Sequence, residues 1–294
     1  MNDTDGTWKT VPWNQRKFHR KAKKQCNHVA VNQECYISAK PVQFHLNQIS
    51  CKVKELCGST FCAEFLAALH NAFGNERHVK EIVCYALGTP TESKSSAYQL
   101  AMLAIIRQFL ADIDKLSTMC EIKEFMEYFS KSFLRKKDVV LENVKCSLFD
   151  PVFTMQDRKL INDLSMDVLK ENEEGRREAT DETLFYMIHS DKWITNNLLW
   201  KNWSTENLNN LLVVGNSFMS IYERTPSSYL KADYKYLYLV NELDLYSEIQ
   251  LPVYKYKEDT FNDTSVLWFP AKKLILAEAE LRKSYQENCP TYSE

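Results

Sequence analysis

The chain has 294 residues, 45% of them hydrophobic and 12% aromatic, with a formal net charge of −2 at pH 7. That length suits one large domain or a domain with extensions, and the apolar share is ample for a sizeable core. The near-neutral balance gives no global attraction to nucleic acid, and no run of 18 consecutive apolar residues reads as a membrane span. Nine cysteines are present, an odd number. Met1 to Asp5 is polar with no apolar stretch after it, so no secretory signal is read. The thiols are expected to be reduced, as in cytosol or nucleus. The sequons at Asn202 and Asn262 then carry no glycosylation meaning.

Residues 1–40 form a polar, basic leader. Between Lys9 and Lys24 stand seven basic residues and no acid. Such a run reads as a solvated, disordered tail. A nuclear-import signal and a nucleic-acid contact are the alternatives. Residues 41–78 read as a helical extension. Val42–Cys57 places Phe44, Ile49, Val53 and Leu56 on or near one face. Ser59 can cap a second helix in which Phe61, Cys62, Phe65, Leu66, Leu69 and Phe73 recur at three- and four-residue spacing, and Gly74-Asn75 is its stop.

Residues 79–290 read as the main α/β domain. Five short apolar runs each end at a polar or glycine-bearing turn: Ile82–Leu87 at Gly88, Cys146–Phe149 at Asp150, Met166–Leu169 at Glu171, Leu184–Ile188 at His189, and Leu211–Val214 at Gly215. Runs of this kind separated by helical stretches predict parallel strands buried on both faces. Ser95 and Ser96 offer a cap for a very apolar helix over 97–113, and a second helix over 117–134 delays strand two. Thr154 and Asp157 match a capping box that opens a helix through Leu164. A Trp-rich helix or loop holds Trp193, Trp200 and Trp203. Further on, 229–246 reads as helix, 264–269 as a late strand, and 271–285 as a final helix ended by a polar, flexible tail. The order implies right-handed crossovers. The predicted fold is a three-layer, Rossmann-like α/β sandwich, mainly parallel, with helices on both faces and the N-terminal helical extension.

In such a sheet the ligand crevice lies outside the carboxyl ends of the strands. The candidate ligand-binding residues there are Gly88, Thr89, Asp150, Asn172, Glu173, His189, Asn216 and Ser217. Gly88 is either a ligand contact or a tight turn needing positive φ. Asp150 stands where nucleotide and S-adenosylmethionine folds place an acid on the ribose hydroxyls, or it makes an Asp-Pro turn. Asp157 reads as a helix cap rather than a catalyst. Asn172 and Glu173 are either a strand-end site or part of a solvated acidic turn. One acidic turn does not supply a metal's converging oxygens, so no metal is expected. His189 could act as a base, or hydrogen-bond a neighbouring loop. G-x-S-x-G, P-loop, HExxH and CxxC patterns are absent, which leaves nucleophilic and zinc hydrolysis without support. Cys289-Pro290 could ligate haem iron, but chance explains a lone dipeptide better.

These residues resemble the sensitivity-to-red-light-reduced family, an SRR-like domain. The matching segments are Cys84–Gly88, Gln99-Leu100, Asp150–Phe153, Asn172-Glu173 with Gly175, Thr183–Met187 with His189, Asn196–Trp200, Gly215–Ser217, and Phe261–Ser265 with Trp268–Pro270. This chain departs from the family's Cys-Tyr-Gly-x-Gly-Ser pattern at Ala86 and Thr89. It has Leu267 where the family shows a histidine. A ligand held at those positions would be held differently here. The resemblance implies a regulatory role: clock input and light signalling in plant members, clock-gene expression and haem biosynthesis in animal members, with no established reaction. Protein partners in signalling are expected with that role, and the thiols and the basic leader point to cytoplasm and nucleus. The rival readings are an enzyme with a nucleotide or S-adenosylmethionine site at the strand ends, and a nucleic-acid binder acting through the leader.

Overall fold

The computed structural model describes residues 40–73, 78–116, 118–134 and 144–292, all within one unit spanning Ile37–Glu294. The basic run from Lys9 to Lys24 and the Gly74-Asn75 stop lie outside the described residues. Seven strands form one sheet: β1 Glu81–Tyr85, β2 Lys145–Phe149, β3 Asp167–Val168, β4 Thr183–Met187, β5 Leu211–Asn216, β6 Ser247–Gln250 and β7 Thr264–Trp268. Their spatial order is β3-β2-β1-β4-β5-β7-β6. The first five are parallel, while β7 runs antiparallel to both β5 and β6. The parallel part repeats the 3-2-1-4-5 order of dinucleotide-binding sheets, whose progression reverses between β1 and β4.

Successive residues of a strand point to opposite faces, and here both faces are covered. Ile82, Cys84, Leu148, Leu184, Tyr186, Leu212 and Val214 enter one core. That core is closed by α1 Val42–Cys57, α2 Thr60–Phe73, α3 Lys94–Ala111, α4 Met119–Ser132 and α5 Met155–Asp163. Val83, Tyr85, Phe185, Met187, Val213 and Leu267 enter the other. The elements on that side are α6 Lys192–Lys201, α7 Thr205–Asn209, α8 Phe218–Arg224, α9 Ser227–Asp233, α10 Lys235–Glu242, α12 Ala271–Leu276 and α13 Glu278–Ser284; a short α11, Glu258–Phe261, precedes β7. The three-layer architecture expected from the sequence is therefore present, and α1 and α2 share the core of the sheet.

Several expectations are corrected. Ser93, not Ser95 or Ser96, caps α3, its hydroxyl accepting from the Ser96 N–H at 3.2 Å. The expected helix over 229–246 breaks at Tyr234 (φ −132°) and ends before β6, a strand that β propensity alone did not reveal. The final helix breaks at Ala277. The β3–β4 link, residues 169–182, is coil, in keeping with the acidic turn read there. Among the described residues no helix is long and apolar enough to cross a membrane.

The packing of α1 against α3, α4 and α5 contains a titratable weak point. His45 of α1 is 3% exposed and neither ring nitrogen has a partner. Burial holds its pKa below the ordinary 6.5, against the opposing pull of Asp157. The unfolded chain therefore takes up the proton first as pH falls. Stability is full above about 6.5 and declines through the window below it. His45→Leu should flatten that decline between pH 7 and 5. It should also add about 1 kcal/mol by removing two unpartnered buried nitrogens. Urea titrations at both pH values check this, and equal losses in variant and wild type would refute it.

Candidate functional site

At the β1 exit the backbone turns sharply, with Ala86 at φ 59° and Gly88 at φ 75°. A Cβ on Gly88 would stand 2.7 Å from the Ser96 hydroxyl. The Gly88 N–H donates to Asp150 Oδ2 at 2.8 Å, and the Val152 N–H donates to Oδ1 at 3.0 Å. Asp150 is 6% exposed. Oδ2 thus ties the β1 loop to the end of β2, while Oδ1 closes the local turn after β2. The carbonyl of Thr89 accepts from Glu92 and Ser93 and closes the turn.

Below that turn Asp157 is fully buried. Its Oδ2 accepts from the Thr154 N–H (2.9 Å) and hydroxyl (2.6 Å), the capping box read from the sequence. Its Oδ1 accepts from the Thr91 N–H (2.9 Å) and hydroxyl (2.7 Å), a tertiary brace with no sequence signature.

Asn172 and Glu173 belong to the β3–β4 coil. Asn172 is exposed, and its side chain closes an Asx turn on the Glu174 N–H at 3.0 Å. Glu173 lies against the sheet face. It accepts from the Tyr85 hydroxyl and from two nitrogens of Arg177, at 3.0 and 2.7 Å. Arg177 also reaches Glu81 at 2.9 Å. Burial alone would raise the Glu173 carboxyl, but hydrogen bonds from Arg177 and Tyr85 and the charges of Arg177 and Lys145 hold it below the usual range. Arg177, held by Glu173, is pushed up in return. Asn202, fully buried, fastens the same coil by donating to the carbonyls of Arg177 and Leu198 and accepting from the Ala179 N–H. This network holds the coil against the sheet.

His189, Asn216 and Ser217 meet in a cavity of about 430 Å³ at the carboxyl ends of β4 and β5. The Asn216 amide bridges the two strand ends. Its oxygen accepts from the His189 N–H at 3.0 Å, and its nitrogen donates to the Ser190 carbonyl at 2.8 Å. His189 Nε2 lies 3.1 Å from the Asn262 carbonyl. A carbonyl only accepts, so Nε2 carries the proton in this contact. Ser217 accepts from the Ser220 N–H and starts α8. The far wall comes from Asn262 and Asp263, which precede antiparallel β7. His189 (φ 57°) and Asp263 (φ 51°) both hold left-handed backbone, a conformation that concentrates at functional sites. Among the described residues no three His, Cys, Asp or Glu side chains converge as metal ligands.

The eight candidates therefore fall into three clusters: Gly88, Thr89 and Asp150; Asn172 and Glu173; and His189, Asn216 and Ser217. The last alone lines a cavity at the strand ends. Ser190, Lys192, Arg224, Asn262 and Asp263 join it there without having been singled out. Asp150→Ala should lower stability by about 1–3 kcal/mol, since it takes the acceptor from the part-buried Gly88 and Val152 N–H groups. Exposed His189→Ala should change stability by less than about 1 kcal/mol. Chemical denaturation distinguishes the two, and equal effects would contradict this division.

The C-terminal tail, expected to be flexible, is pinned across α6. The Trp200 indole donates to the Gln286 carbonyl at 2.8 Å, and the Tyr292 hydroxyl donates to Asn197 Oδ1 at 2.6 Å while accepting from Asn196 at 3.0 Å. The Tyr292 ring stacks on Tyr234.

The family model of the SRR1 domain matches residues 63–268, from inside α2 to the end of β7. The chain belongs to the SRR1 family. This SRR1-family chain is 32% identical over 166 residues to an "SRR1-like protein" of Mus musculus, covering 56% of this chain and 55% of that one. It is 26% identical over 181 residues to "Protein SENSITIVITY TO RED LIGHT REDUCED 1" of Arabidopsis thaliana, covering 58% and 55%. An "SRR1-like protein" of Drosophila melanogaster is 30% identical over 113 residues, covering 34% and 41%. The chain matches about half the length of these curated relatives. No solved structure matches it.

Proposed function

We propose that this chain is an intracellular regulatory protein of a light- or clock-input pathway, acting with signalling partners in cytoplasm and nucleus. The observation that carries the reading is the SRR1 match across all seven strands, together with the name of the Arabidopsis relative. In cells of the source organism carrying a clock-driven reporter, loss of the chain should alter period or amplitude, and re-expression should restore them. An unaltered rhythm overturns the reading. Regulation of haem biosynthesis, implied by the same family, predicts altered haem-pathway transcripts in those cells. The basic leader would supply nuclear import, so deleting residues 1–24 should reduce the nuclear signal of a tagged protein. Binding of nucleic acid through the leader would instead weaken steeply with salt.

A second reading is favoured by the polar cavity at the β4 and β5 ends: a small-molecule site for a nucleotide or S-adenosylmethionine, serving as sensor or enzyme. Concave sites with a few convergent polar groups are where ligands bind. A thermal-shift panel of S-adenosylmethionine, NAD, NADP, nucleotides and haem tests it. A ligand at a hundred times its Kd stabilises by about 2.7 kcal/mol. A hit retained by His189→Ala and by Asn216→Ala would place the ligand elsewhere.

A further inference from the structure

Ser190, at the β4 exit, is 5% exposed, lines the β4–β5 cavity, and its hydroxyl has no hydrogen-bond partner. Its polar neighbours are answered within the wall: the Asn216 amide at both ends, Ser217 by the Ser220 N–H, and His189 by the Asn262 carbonyl. An unpartnered buried hydroxyl destabilises the fold that holds it, so its place on a cavity wall points to a ligand rather than to packing.

Ser190 also stands immediately before α6. That helix is ten residues long and starts at Lys192; its N-cap, Asp191, makes no side-chain cap hydrogen bond, and its first turn carries no acidic side chain. The first N–H groups of a helix have no acceptor within it and carry the positive end of its dipole. Asp191 and Lys192 both line the cavity. The remaining formal charges largely cancel. Arg224 holds Asp263 through two nitrogens at 2.6 and 3.2 Å. Lys192, without an ion-pair partner among the described residues, offsets Asp191. The Ile194 N–H is answered by the Asp191 carbonyl at 3.1 Å; what stays unanswered is the Ser190 hydroxyl with the Lys192 and Trp193 amides.

We infer that the cavity seats the anionic group of a small-molecule ligand, a phosphate or carboxylate, at the amino terminus of α6. The Ser190 hydroxyl and the Lys192 and Trp193 N–H groups donate to its oxygens, and Lys192 supplies charge. This assignment rests on reading the cavity as a ligand site.

The full chain, labelled with ¹⁵N, would be titrated separately with inorganic phosphate and with acetate at constant ionic strength. Saturating shifts are expected at the Lys192 and Trp193 amides, with the tighter of the two anions naming the ligand class. Ser190→Ala should keep or raise Tm without anion, because it removes a buried unpartnered group. Both Ser190→Ala and Lys192→Gln should raise the midpoint concentration by about tenfold, the loss of one charge-assisted hydrogen bond. Midpoints unchanged in both variants overturn the assignment. Shifts confined to His189, Asn216 and Ser217 overturn it too, while leaving the cavity a ligand site. No shift anywhere in the cavity, with either anion or with any ligand that stabilises the chain, overturns both.

Discussion

Replacing Asp157 by alanine is expected to lower unfolding stability by about 3–5 kcal/mol, among the largest single-residue effects in this chain. The carboxylate is fully buried and accepts four hydrogen bonds, two from Thr154 and two from Thr91. Without it, two backbone N–H groups and two hydroxyls lose their acceptor together. The hydroxyls can rotate toward other partners, whereas the N–H groups are fixed by the turn and by the first residues of α5. Asp157→Asn keeps one acceptor oxygen and aims an NH₂ at the donors on the other side, so it should lose about half as much. Urea unfolding with an unchanged m-value is the measurement. A loss below about 1 kcal/mol for Asp157→Ala would mean that the brace contributes little. Because Thr91 follows the Gly88 turn, the variant should also loosen the β1 exit and speed amide exchange at Gly88.

Gly175→Ala is expected to cost about 2–4 kcal/mol, from left-handed backbone and a clash that cannot be relieved by a side-chain rotation. Gly175 holds φ 77°, and a Cβ there would stand 2.4 Å from the Ile194 carbonyl oxygen and 3.2 Å from its carbon. Those are backbone atoms in the first turn of α6, so the helix or the coil must move. The coil is anchored by Glu173, Arg177 and Asn202, and Asn197 of α6 donates to the Glu174 carbonyl at 2.9 Å. The strain should therefore appear at the amides of Lys192 and Trp193 as well as in the midpoint of denaturation. A variant as stable as wild type, with α6 undisturbed, would contradict this packing.

The two variants probe two contacts between connecting segments, one joining the β1 exit to the start of α5 and one joining the β3–β4 coil to α6. A buried carboxylate joins segments 66 residues apart in sequence, and a glycine lets the coil approach the backbone of α6.

Strand and helix identities followed from local chemistry. Five short apolar runs ended at turn-forming residues and became β1 to β5. Spaced apolar positions in 42–57 and 60–73 became α1 and α2, because burying one stripe of a helix needs only that spacing. The Thr154–Asp157 capping box was likewise legible, since both partners lie within one turn. Two breaks were not. Tyr234 and Ala277 carry no helix-breaking side chain, and tertiary packing ends their helices. The antiparallel β6–β7 pair was also hidden, because pairing depends on which edge is free.

The candidate site divides in the same way. The sequence by itself placed Asp150, His189, Asn216 and Ser217 at strand ends, since a strand end is a local event, whereas Asn172 and Glu173 lie in the coil beyond β3. Only the tertiary structure decided what each is for. It turned Asp150 into a brace for Gly88 and folded Glu173 back onto Tyr85 and Arg177. It also gathered His189, Asn216 and Ser217 with Ser190, Asn262 and Asp263 into one cavity. The physical reason is that a hydrogen bond or a cavity wall depends on distance in space. Residues such as Ser190 and Asn262, 72 positions apart in the chain, become neighbours only once β7 is laid against β5.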